Sequence, residues 1–134
     1  MSYVLAPLGG KTLEESYSGQ SYISPITDKT ECVAFLQATI PGVPNTHSWK
    51  EGKAITQSDL SVAAGTAIAT FVDGAYPGPG KDKHAAVYLG QDVNGIQVLD
   101  QWAKQGKVLK RTIRWVVPVA TTIQNDGTKY SVIE

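Results

Sequence analysis

The chain has 134 residues, 12 Lys+Arg against 12 Asp+Glu for a formal net charge of zero, and 42% hydrophobic residues. Its length suits one domain over residues 1–134, long enough to bury a core without staples. One cysteine excludes an intramolecular disulfide and a thiolate zinc site, zero net charge argues against the basic face of a nucleic-acid binder, and no apolar run approaches the roughly 18–20 residues that span a bilayer.

Residues 1–30 are rich in Gly, Ser, Thr and Tyr, with Pro7 and Pro25 as punctuation, and read as irregular structure with a short helical turn over 12–17. No basic segment leads into a longer apolar one there, so no secretory signal peptide is expected. The texture then changes. Cys32, Phe35, Leu36 and Thr39 recur at helical spacing, Asp28 or Thr30 is the expected cap, and Glu31 suits the first turn. Ile40-Pro41-Gly42 ends that helix, which places Cys32 at or within one turn of its N-terminus.

Strands follow. Residues 49–54 read as a turn-rich connector, and 56–60 as a loop or a helical turn. Residues 66–72 form a strand ended by Asp73-Gly74. Residues 75–83, holding Pro77, Gly78, Pro79 and Gly80, form a loop. Residues 84–89 and 96–102 are two strands of a hairpin with Asn94-Gly95 at its turn. Residues 107–119 give one more strand, and 123–133 a final hairpin around Asn125-Asp126-Gly127. One helix before an antiparallel sheet is an α+β layout.

A thiol attacks a carbonyl carbon efficiently only as thiolate, and a helix N-terminus or a neighbouring imidazole lowers its pKa. Cys32 has the first condition, and its own backbone N–H points where a tetrahedral oxyanion would form. His84 opens a strand directly after the Pro/Gly loop, so its ring projects at the sheet end. If its strand pairs with 96–102, then Asp100, Gln101 or Trp102 lies opposite. Asp100 is the best acceptor for the second imidazole N–H and Gln101 the neutral alternative. Cys32, His84 and Asp100 are thus candidates for nucleophile, base and orienter.

At this point the chain resembles the papain-like cysteine amidases and endopeptidases of the NlpC/P60 and CHAP group. Glu31-Cys-Val-Ala-Phe-Leu-Gln37 is similar to that group's nucleophile helix, and Trp49-Lys-Glu-Gly52 to its Trp-containing connector. Ala64-Gly-Thr-Ala-Ile-Ala-Thr-Phe71 is similar to the strand before the histidine loop. Lys83-His-Ala-Ala-Val-Tyr-Leu-Gly90 resembles the histidine strand, and Gly95-Ile-Gln-Val-Leu-Asp-Gln-Trp102 the strand of the third polar residue. Lys83 stands where a Gly is often found, Glu31 where one branch carries Asp, and the branch's N-terminal Tyr maps to Tyr17 or Tyr22.

The resemblance implies a papain-like core, with the nucleophile helix packed on an antiparallel sheet, that cleaves amide bonds of peptidoglycan stem or cross-link peptides. It implies Cys32 as nucleophile, His84 as general base and Asp100 as orienting acid, with no metal or organic cofactor. Small leaderless members look like the amidase effectors that type VI secretion systems deliver into neighbouring bacteria. That reading implies synthesis in the cytoplasm, export without a leader to a target's periplasm, and as partners the secretion machinery and an immunity protein. No nucleic-acid partner and no membrane insertion are expected. The rival is a non-catalytic cell-wall or protein-binding module with Cys32 as a core residue.

Other residues carry weaker signals. His47 either lines a groove beside Trp49 or is solvated. The 73–83 loop is either a lid or a connector, and Trp49, Trp102 and Trp115 either stack on a ligand or wall a core. The charges of residues 104–114 either attract an anionic polymer such as the cell wall or form the solvated face of a strand.

Overall fold

The computed structural model describes residues 2–78 and 82–134. Two helices precede most of the sheet: α1 (Leu13–Tyr17) and α2 (Cys32–Thr39). The short α1 is started by a reciprocal cap, in which Thr12 Oγ1 accepts the Glu15 N–H while Glu15 accepts the Thr12 N–H. Six strands follow: β1 (Glu51–Ala54), β2 (Ala67–Thr70), β3 (Ala85–Gln91), β4 (Gly95–Asp100), β5 (Leu109–Arg114) and β6 (Tyr130–Ile133). They form one sheet in the order β1-β6-β2-β3-β4-β5, with every pairing antiparallel.

Two expectations need correction. Residues 51–54 are not a connector, because β1 pairs with β6. Residues 123–133 are not a hairpin. Asn125 ends one short 3-10 turn and Gly127 opens another, with Asp126 between them, and β6 is inserted between β1 and β2. Its partners lie some 60 to 80 residues back in the chain, so no local turn signal marks the pairing.

Each face of the sheet carries a core. α2 packs Phe35 and Leu36, both fully buried, against Ala67, Ala69, Ala85, Val87 and Leu99. Three of those strand positions are alanine, which leaves room for the large helix side chains. Truncating Phe35 to alanine is expected to cost about 3–5 kcal/mol. The opposite face buries Ile68, Tyr88, Ile96, Val98, Ile113 and Trp115. With both faces covered, β2 is buried at all four positions and shows no polar alternation.

The β3–β4 hairpin sets the site's register. Asp92 Oδ1 accepts the N–H groups of Asn94 and Gly95, fixing the turn. A Cβ at Gly95 would run into the Ile113 carbonyl, so β5 can approach only a glycine. Val87 faces Leu99 and Tyr88 faces Val98, with a bulge between Tyr88 and Gly90. Continuing that register puts Ala86 across from Asp100 and His84 across from Trp102. Among the described residues, no helix is long and apolar enough to cross a membrane.

Candidate active site

Cys32 is the first residue of α2, and its backbone N–H is one of the amides that a helix leaves without an internal acceptor. Neither expected cap forms. Glu31 occupies the N-cap position without a side-chain cap, and Asp28 sits in a left-handed turn at φ 59°. Thr30 turns its hydroxyl to the Trp102 carbonyl at 3.2 Å. The helix start is instead held from the sheet. Gln101, fully buried, donates from Nε2 to the Glu31 carbonyl at 2.8 Å and the Tyr22 carbonyl at 2.7 Å, and accepts the Tyr22 N–H at 3.2 Å.

His84 lies just before β3 with its backbone already locked to β2. Its N–H donates to Thr70 Oγ1 and its carbonyl accepts the Thr70 N–H, each at 3.0 Å. The Thr70 hydroxyl donates onward to the Asp82 carbonyl. The imidazole is 5% exposed at residue level and meets Asp100 Oδ2 through Nε2 at 2.7 Å. That engagement leaves Nδ1 as the ring nitrogen for the thiol.

Asp100 is fully buried, and its Oδ2 also accepts from Arg111 Nε at 2.7 Å. The pairing explains why both reach it. Arg111 lies opposite Val98 on β5, so it is a diagonal neighbour of Asp100, as His84 is on the β3 side. Diagonal cross-strand neighbours are roughly 7–8 Å apart at Cα, within reach of an imidazole or a guanidinium. Arg111 further donates to Asn125 Oδ1 and lies 5.2 Å over the Trp102 ring. Trp102 in turn meets the His84 ring nearly edge-on.

Tyr76 completes the surroundings of the thiol. Its hydroxyl is 3.7 Å from Cys32 Sγ, and its ring packs edge-on against buried Trp49, whose indole N–H is held by the Pro44 carbonyl. Neither Tyr17 nor Tyr22 fills that place: the Tyr17 hydroxyl donates to Ala6, and Tyr22 stacks on Phe35.

The electrostatics follow from these contacts. Burial pushes the Cys32 thiol up. The hydrogen bond and charge of His84, the Ala85 amide and the Tyr76 hydroxyl outweigh it, and the thiol lies below its ordinary value. Burial pulls His84 down, but hydrogen bonds to Asp100 and Cys32 and their charges push it up to about 9. Both shifts act toward the thiolate–imidazolium form of the pair. The Tyr76 phenol, raised well above its usual value by burial and by the Cys32 charge, stays a proton donor.

The structure thus brings Cys32, His84 and Asp100 together and turns Gln101 to the opposite side of β4. Cys32 is half-buried, packs against the core beneath α2 and also lines two cavities. His47 is exposed and lines one of them, whereas Trp115 belongs to the far core. The lid reading of the 73–83 loop falls partly on residues 79–81, outside the described residues; Tyr76, Pro77 and Gly78 line a cavity. Of the 104–114 charges, Lys110 and Arg114 are exposed as expected, but Arg111 is turned to Asp100. Sequence reasoning missed Arg111, Tyr76 and Thr70. Only Arg111 left a signal, its position on the same strand face as Leu109 and the buried Ile113.

Comparison with known proteins follows the same line. A family model described as domesticated amidase effector 2 matches residues 8–133. A type VI secretion amidase effector 2 protein of Salmonella typhi is 39% identical over 101 residues, covering 73% of each chain. A domesticated amidase effector 2 of Ixodes scapularis is 34% identical over 90 residues, covering 66% of this chain and 61% of the relative. The solved structure of a type 6 secretion amidase effector 2 superposes with a TM-score of 0.70 at 33% identity, covering 85% of this chain and 87% of the other.

Proposed function

The chain belongs to the domesticated amidase effector 2 family, and starting from that membership we propose that it hydrolyses amide bonds in bacterial peptidoglycan peptides through Cys32, His84 and Asp100. It is an amidase, a hydrolase with an α+β papain-like fold. The observation that carries the residue assignment is the continuous chain from the thiol through the buried imidazole to the Asp100 carboxylate, closed by Arg111.

In the first half-reaction the Cys32 thiolate attacks the carbonyl carbon, an Sγ–C bond forms, and the carbonyl electron pair moves to oxygen. The Cys32 backbone N–H donates to that oxyanion, and Tyr76 adds a second donor. A tetrahedral oxygen lies roughly 2.7 Å from the sulfur, so a hydroxyl at 3.7 Å from Sγ is within reach of it. His84 gives its Nδ1 proton to the leaving nitrogen as the C–N bond breaks. In the second half, His84 takes a proton from water, the hydroxide displaces Cys32 from the thioester, and the thiolate is restored. Asp100 fixes the ring and stabilises the imidazolium without taking its proton.

Two finer readings rest on the relatives. Like the type VI secretion amidase effector it resembles, the chain is proposed to work in the periplasm of a target bacterium and to require an immunity protein in its producer. The experiment is digestion of purified peptidoglycan, with new amines and fragments read by mass spectrometry. The wild type releases them and Cys32→Ala does not; identical profiles for both would remove Cys32 from the reaction.

A further inference from the structure

Cys32 is the wall between two cavities of different character. The first, about 520 Å³, extends from Cys32 and His84 past Trp102 to Lys83, Lys104 and Gln124. The second, about 640 Å³, extends along α2 to Ile26, Val33 and Tyr76. Both share Glu31 and Lys83 at the rim. Beyond that rim, the second cavity adds no lysine, arginine or acid among the described residues, whereas the first adds Lys104 and Arg111.

The cation excess of the first cavity is not neutralised within the protein. Arg111 is committed to Asp100 and Asn125. Lys83 and Lys104 are exposed and have no carboxylate in ion-pair range among the described residues. The Glu31 carboxylate accepts the Thr27 hydroxyl, which belongs to the second cavity's lining.

The chemistry fixes which half of the substrate this cavity receives. His84 protonates the leaving nitrogen, and of the two cavities only the first is lined by His84. The amine half of the cleaved peptide therefore lies there. We propose that the first cavity is a subsite for an amine half that bears a carboxylate, with Lys83 and Lys104 binding the carboxylate. The inference rests on the amidase reading above and names the polarity of its groove: the released amine product is the anionic, tightly held one.

The test uses the full chain carrying Cys32→Ala, so that binding is read without turnover. The probe is muramidase-solubilised peptidoglycan, native or with its carboxylates converted to carboxamides. Calorimetry is expected to show binding of the native fragments, weakened about tenfold or more by amidation. Lys83→Gln with Lys104→Gln is expected to weaken the native fragments by a similar factor and leave the amidated ones unchanged. In the otherwise wild-type enzyme, the amine product should inhibit digestion, and the double lysine change should relieve it. Equal affinity for native and amidated fragments, or relief confined to the acyl product, would overturn the subsite. Failure of the amidase reading looks different, since wild-type protein would then release no new amines whatever the fragments bind.

Discussion

Asp100, the last residue of β4, and Gln101, just beyond it, are fully buried and polar, yet they turn to opposite sides of the sheet. Asp100 reaches His84 and Arg111 on one side, while Gln101 reaches Glu31 and Tyr22 on the other, where α2 packs. Because side chains alternate along a strand, one strand end holds both halves of the site: the base through Asp100 and the nucleophile's helix through Gln101. The two differ in kind. In the proposed reaction Asp100 sets the charge and direction of the His84 ring, whereas Gln101 satisfies backbone groups and fixes a position.

That contrast can be broken experimentally. Asp100→Asn should lower kcat/KM the most, by about 10³–10⁴, because the imidazole loses the acceptor that sets its tautomer. It should also change the pH profile. On the proposed mechanism the wild-type alkaline limb is expected near 9, where His84 would lose the proton needed by the leaving amine. Asp100 raises His84, so its loss moves that limb to lower pH. An unmoved limb would mean that Asp100 does not act on His84.

Gln101→Leu should act on folding before chemistry. It leaves the Tyr22 carbonyl and N–H without partners and the Glu31 carbonyl with the Ala34 N–H alone, costing about 1–3 kcal/mol in urea unfolding. Its alkaline limb should stay in place. A moved limb with unchanged stability would reverse the roles assigned to the two residues.

Smaller effects sharpen the picture. Thr70→Val removes the acceptor of the His84 N–H and the donor to the Asp82 carbonyl, at about 0.5–1.5 kcal/mol per bond. Thermal unfolding should register it while the alkaline limb stays. Tyr76→Phe keeps the ring against Trp49 but removes the hydroxyl that helps lower the thiol. The acid limb of kcat/KM should move to higher pH, by less than His84→Ala moves the thiol itself. No movement would place Tyr76 outside the thiol's environment.

How much of this was readable in the chain depends on sequence distance. The helix over 32–39 and the hairpin around Asn94-Gly95 rest on local periodicity and turn chemistry, and both form as expected. β1 and β6 were not readable as partners, because a four-residue strand with distant neighbours leaves no local trace. The choice among Asp100, Gln101 and Trp102 turned on the bulge between Tyr88 and Gly90, which decides which residue shares a face with His84. Arg111 was hidden because alternation shows that one side of a strand is solvated without saying where the covered side ends. Tyr76 sits in a loop whose path is set by Trp49, a contact that only the folded chain makes.

The central claim is that Cys32 is a thiolate held beside the His84 imidazolium. Its most direct test is the rate of iodoacetamide alkylation of the native protein as a function of pH. Cys32 is the only thiol in the chain, so the rate reports it alone. The account predicts fast alkylation with a midpoint below that of an ordinary thiol, near 8.5, and a return toward that value in His84→Ala. A wild-type midpoint at the ordinary value, or reaction only after unfolding, would contradict it.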